Sequence, residues 1–171
     1  MVIYKLLSRL LDYPGRELFE NFEELERVAA NDPSLNESER ETICGFVSWL
    51  SLHTLTGAQQ NYVETFDMTP EHDLHLTHHI FGDSGERGPA LIDLTQHYSA
   101  NGLAIVEKEI PDYLPLILEY LSTLDETQAR FFLADARKVV SVLAKNLEKS
   151  DSPYAKLLKI VESRGQLAQA A

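Results

Sequence analysis

The sequence predicts an all-α fold, a single compact multi-helix bundle of about eight helices, and three observations lead there. Apolar residues recur at three- and four-residue spacings along nearly the whole chain, which is the signature of one-sided helices. Proline, glycine and asparagine interrupt those stretches at intervals suited to short connections. No segment sustains the period-two alternation of a half-buried strand, and the one β-friendly run, Leu103 to Val106, is too short to seed a sheet.

The elements follow in order. Ile3, Leu6, Leu7 and Leu10 line one face of a first helix that Pro14-Gly15 stops. A second stretch, from Arg16 to Ala30, carries Leu18, Phe22, Leu25 and Val28 and ends at Asn31-Asp32-Pro33. A third begins at a capping box, Ser34 with Glu37 or Ser38 with Glu41, and presents Ile43, Phe46, Val47 and Leu50; Trp49 and Leu52 widen that stripe to two buried sides. Tyr62, Val63 and Phe66 give the next face, up to Asp67, after which Thr69-Pro70 supplies a cap and a first helical position. His75 to Phe81 reads as a short helix closed by Gly82, and the loop Gly82 to Gly88 leads to Pro89, which opens a helix with Leu91, Leu94, Thr95 and Tyr98. A connector over 103–111 precedes a helix with Leu114, Ile117, Leu118 and Leu121, then a long one with Phe132, Ala136, Val139, Val140, Leu143 and Leu147. Ser152-Pro153 starts the last helix, with Leu157, Leu158 and Val161. Residues 1–164 form one domain in this reading, and 165–171 a disordered tail.

Composition narrows the function. Of 171 residues, 44% are hydrophobic and 25% charged, enough to bury a core, yet no run reaches the roughly 18 apolar residues that a membrane span needs. The formal charge of −12 repels phosphate backbones and anionic lipid heads, which argues against nucleic acid and favours a basic ligand. A single cysteine, Cys44, removes any intramolecular disulfide and fits a reducing, cytoplasmic setting; placed beside the apolar stripe of its helix, it reads as core.

Two clusters invite a chemical reading. His72, His75, His78 and His79 include a pair one helical turn apart, so a small metal-dependent hydrolase on His72, His75 and His79 is the alternative function. Leu76 stands where a zinc-peptidase helix would carry glutamate, and Glu71 and Asp73 suit a helix start, so no metal site is assigned. Gly82, Gly85 and Gly88 mimic a phosphate loop, but no Lys-Ser/Thr follows them and Asp83 and Glu86 stand inside; Arg87 reads as the partner of a neighbouring carboxylate. No catalytic constellation emerges, and no cofactor is assigned.

The stretch from His75 to Leu91 (HLTHHIFGDSGERGPAL), followed by Asp93-Leu94 and Tyr98, resembles the central signature of the NarJ family of nitrate reductase assembly chaperones. Glu109 to Glu119 (EIPDYLPLILE) resembles that family's second signature, and Tyr62 to Asp67 and Leu6 to Pro14 fit as well, in the right order over about the first 125 residues. Gly85 departs from the pattern, standing where a basic residue is expected. The resemblance implies an all-helical, non-enzymatic cytoplasmic chaperone that binds the N-terminal segment of the nitrate reductase catalytic subunit and holds it for molybdenum cofactor and iron–sulfur insertion. An amphipathic peptide helix would then lie in a groove walled by Tyr62, Phe66, Tyr113, Leu114 and Leu118. Glu64, Asp67, Glu107, Glu109, Asp112 and Glu119 would stand on its rim, meeting the peptide's basic residues. The signature loop contributes His79, Phe81, Gly82, Asp83, Arg87 and Gly88.

Overall fold

The computed structural model describes residues 1–106 and 108–166. Among the described residues ten α-helices follow in order: α1 (Val2–Leu11), α2 (Arg16–Glu20), α3 (Phe22–Asn31), α4 (Glu37–Ser51), α5 (Leu55–Tyr62), α6 (Leu76–Phe81), α7 (Arg87–Ala100), α8 (Leu114–Ser122), α9 (Glu126–Lys149) and α10 (Tyr154–Arg164). A π-helical turn, Val63–Asp67, prolongs α5, and a 3₁₀ turn, Pro70–His72, leads toward α6. No strand occurs among the described residues, which makes the fold all-α as the periodicity requires; one antiparallel bridge pairs His75 with Tyr113.

α9 and α10 form a helical hairpin, α1 lies along α8, and α3 pairs with α4. Their apolar faces meet in one cluster that runs from Ile3 and Leu7 through Ile43, Leu114, Leu118 and Leu143 to Leu157 and Val161. Every one of the four apolar residues assigned to the first helix is buried, because a 3.6-residue repeat turns them to the same side.

Several boundaries differ from the expectation for local reasons. The helix expected over 16–30 breaks at Asn21, whose φ of −125° and ψ of 22° leave the helical basin while its side-chain amide donates to the Glu17 carbonyl at 2.7 Å. The capping box of α4 is neither serine pair but Asn36 with Glu39, with reciprocal bonds of 2.9 and 3.0 Å. Leu52, expected to widen the buried stripe of that helix, lies past its end and is 84% exposed. The helix after the glycine loop begins two residues before Pro89, at Arg87. Gly165, in the segment expected to fray, is packed so closely that a Cβ there would lie 2.8 Å from the Leu133 carbonyl oxygen. The remainder of that segment, 167–171, lies outside the described residues, as does Glu107.

A buried ion pair closes the bundle at one end. Arg164, last residue of α10, donates from Nε to Glu39 Oε1 at 2.7 Å and from Nη2 to Glu39 Oε2 at 2.6 Å, with a further bond to the Ser34 carbonyl at 2.8 Å. The two side chains retain only 7% and 6% of their exposure. This bidentate contact fixes the C-terminal end of α10 on the N-terminal end of α4.

Candidate functional site

The four stretches singled out in the sequence converge around Tyr113. Here the connector that follows Pro111 runs antiparallel to residues 74–76: the Leu76 amide donates to the Asp112 carbonyl at 3.1 Å and the Leu114 amide to the Leu74 carbonyl at 2.9 Å. That register sets the Tyr113 ring against His75, centroids 5.1 Å apart and 29° from parallel. The Tyr113 hydroxyl lies 2.5 Å from that of Tyr62 and donates to Asp12 Oδ1 at 3.0 Å, while the Tyr62 hydroxyl donates to the Leu11 carbonyl at 2.9 Å. Burial pushes both phenols well above their usual range, so both stay neutral hydrogen-bonding struts near neutral pH. The π turn serves the same contact. It carries Phe66, whose buried ring packs against that of Tyr62 with centroids 4.7 Å apart.

One residue away, Asp112 closes the signature loop. Its carboxylate is 0% exposed; Oδ2 accepts from the Thr77 amide at 2.9 Å and from the Thr77 hydroxyl at 2.5 Å. It thereby caps α6 from 35 residues away, supplying an acceptor where the first turn has none of its own. Arg87 donates from Nε to the Thr77 hydroxyl at 3.0 Å and brings Nη2 to 3.8 Å from Asp112 Oδ2. The carboxylate that Arg87 was expected to find nearby is therefore Asp112, across the connector. Gly82 ends α6 at a φ of +53°, a conformation that favours glycine.

Of the residues expected to wall a groove, Tyr62, Phe66, Leu114 and Leu118 are buried in the core. Asp112 is no rim acid, for its charge is held inside by Thr77 and Arg87. Tyr113 is half-buried. Glu64, Asp67, Glu109 and Glu119 are exposed, as are Asp83 and Gly88 of the loop, while His79, Phe81 and Gly82 are half-buried.

His72 stands apart, while His75, His78 and His79 gather around Asp73. His72 is buried, with Nδ1 2.9 Å from the Thr65 carbonyl and Nε2 3.2 Å from the Asn146 carbonyl. His75 and His78 each bond Asp73, at 2.7 and 3.0 Å, and His79 Nε2 contacts the Asp73 carbonyl at 2.6 Å. The hydrogen bond that the His75 ring donates to Asp73 raises the His75 pKa above its ordinary value against the opposing effect of burial. Among the described residues no three potential ligands are placed to hold a metal ion. Cys44 sits half-buried against the core, and burial, helped by Glu26, pushes its thiol up, away from the reactive thiolate.

A concavity that periodicity did not announce lies between α4 and α10. It encloses about 650 Å³ over a floor of Phe46, Trp49, Pro153 and Ala155, with Glu41, Asp151 and Lys156 among its rim residues. The one sequence sign of it is Gly45, a glycine inside a helix, where it costs about 1 kcal/mol relative to alanine.

Residues 32–159 match the family model described as nitrate reductase delta subunit. The chain is 32% identical over 161 residues to the nitrate reductase molybdenum cofactor assembly chaperone NarJ of Escherichia coli (strain K12), covering 94% of this chain and 68% of that protein. It is 31% identical over 160 residues to a probable chaperone of the same name from Bacillus subtilis (strain 168), covering 94% and 86%. The nitrate reductase-like protein NarX of Mycobacterium tuberculosis (strain ATCC 25618 / H37Rv) is 30% identical over 166 residues, which span 97% of this chain and 24% of that protein.

Proposed function

This chain belongs to the nitrate reductase delta subunit family, and from that membership we propose that it is a cytoplasmic, non-enzymatic assembly chaperone for a respiratory nitrate reductase. It binds the N-terminal segment of the immature catalytic subunit and holds that subunit while molybdenum cofactor and iron–sulfur cluster are inserted. The observation that carries this reading is the likeness, along 94% of the chain, to relatives named as molybdenum cofactor assembly chaperones.

The physical character of the chain supports it. A charge of −12 and the exposed acids Glu64, Asp67, Glu109 and Glu119 suit a basic amphipathic segment. No helix among the described residues is long and apolar enough to cross a membrane. The hydrolase alternative finds no support, because His72 turns its ring nitrogens to the Thr65 and Asn146 carbonyls, away from His75 and His79, and no three potential ligands among the described residues are placed to hold a metal ion.

Calorimetric titration with a synthetic peptide copied from the N-terminus of the nitrate reductase catalytic subunit tests the proposal. Saturable one-to-one binding that weakens with added salt is the expected result, since exposed charge pairs are screened over about 8 Å at physiological ionic strength. Absence of binding at any salt concentration overturns it.

A further inference from the structure

Resting on the chaperone reading, we infer that the groove between α4 and α10 receives the apolar face of the partner segment, with a basic residue of that segment meeting Asp151 and Glu41 on the rim. The apolar motif residues Tyr62, Phe66, Leu114 and Leu118 are buried inside the bundle, so an apolar surface for the segment has to be found elsewhere. This groove has the size of a ligand site, about 650 Å³ against a usual range of about 300–1,000 Å³.

It is built rather than left over. Gly45 stands in the middle of α4, where glycine is the poorest helix former after proline. Nothing lies within 4 Å of a Cβ added there, so no neighbour requires the missing side chain. What the glycine does is keep the floor bare beside Phe46 and Trp49. That floor is stiff: Tyr154 packs edge-on against both rings, at 5.0 and 6.0 Å. The walls are fixed as well, by the Arg164–Glu39 pair at one end and the α9–α10 turn at the other.

Charge selects the occupant. Lys159 on the rim is paired with Glu148, and the two acids Glu41 and Asp151, which have no ion-pair partner among the described residues, outnumber the one remaining rim cation, Lys156. Beyond the turn at 150–153, a neighbouring pocket of about 310 Å³ shares Asp151 and adds Glu64, so the acid continues past the end of the groove. An apolar stripe flanked by lysine or arginine complements this surface; an acidic segment does not.

Trp49 is the single tryptophan of the chain and lies on the groove floor, so it reports occupancy directly. The probe is a synthetic peptide of the catalytic subunit's N-terminus with any tryptophan replaced by phenylalanine, added to the full chain. Binding is expected to shift Trp49 emission to shorter wavelength and to protect it from acrylamide. Gly45→Leu projects a side chain into the groove and should weaken binding by about ten-fold or more, the loss typical of a blocked hot spot, with the melting midpoint unchanged or raised. Glu41→Gln with Asp151→Asn should weaken binding and flatten its salt dependence. If calorimetry shows that the peptide binds while Trp49 emission and quenching do not move and Gly45→Leu binds as well as the parent, the groove assignment is wrong and the chaperone reading stands. If the peptide does not bind the parent chain at all, both fall. Should Gly45→Leu misfold, the Trp49 response of the parent decides alone.

Discussion

Replacing Arg164 with leucine refills most of the apolar volume of the side chain but strips Glu39 of both guanidinium bonds and frees the Ser34 carbonyl. Since the Glu39 side chain keeps only 6% of its exposure, the carboxylate left behind is desolvated and unpaired. Breaking a buried pair by removing one partner costs about 3–5 kcal/mol, far above the value of a surface pair. In a chain of this size, 1 kcal/mol moves the melting midpoint by about 2–4 °C, so a drop of about 6–20 °C is expected. Urea unfolding followed by far-ultraviolet circular dichroism measures it directly, with the midpoint moving at an unchanged slope. Glu39→Gln separates charge from capping, because glutamine at the same position can still accept from the Asn36 amide; it should lose less, since Arg164 keeps the Ser34 carbonyl and has Glu126 3.8 Å away. The double variant should lose less than the two single losses added together. A loss below about 1 kcal/mol for Arg164→Leu would show that the pair behaves as a solvated surface contact and would refute the account of how α10 is held on α4.

Acid should probe the same pair. Burial pushes the Glu39 carboxyl up, but the bonds from Arg164 and Asn36 outweigh it and hold the pKa below its ordinary 4.5. A depressed folded pKa adds stability that is present above the unfolded value and lost as pH falls through the folded one. Urea midpoints measured downward from pH 5 should therefore fall more steeply for the parent than for Arg164→Leu; parallel curves would contradict the assignment. Asp112→Ala leaves the Thr77 amide and hydroxyl without an acceptor and should cost about 2–4 kcal/mol, whereas Asp112→Asn, which can still cap, should cost less. Neither should change peptide affinity below its melting range, and a selective loss of affinity at full stability would return Asp112 to the binding surface. Cys44 should react slowly with thiol reagents in native buffer and rapidly in urea, while equal rates would show an open, ionised thiol.

The helices were legible where local pattern and packing agree, as in α1, whose apolar repeat is also its buried face. They were less legible where a distant partner chose among local equals. Ser34, Asn36 and Ser38 each begin a capping-box pattern, and what accompanies the Asn36 phase is a Glu39 that meets Arg164, 125 residues away. The break at Asn21 was hidden because the apolar repeat of Leu18 and Leu25 runs straight through it. The site was harder still. Periodicity says that Tyr62, Phe66, Leu114 and Leu118 face one way, but it does not say whether the bundle or a ligand covers that face.

The distinctive motifs and the surface proposed for recognition answer different physical demands. Two irregular stretches, at 73–75 and 111–113, meet in the bundle without a sheet to satisfy their backbone groups, and a buried loop without partners is costly. Asp112, Thr77, Arg87, Tyr113 and Tyr62 meet that demand with side-chain bonds that few other residue types could make in the same places. A groove, by contrast, needs only absent bulk and a firm floor, which Gly45, Phe46 and Trp49 provide without any rare pattern. It follows that substitutions in the motifs should be read first through folding, with loss of binding as a consequence. Substitutions around Gly45 should separate the two, since that position can be filled without removing a single contact that the fold uses.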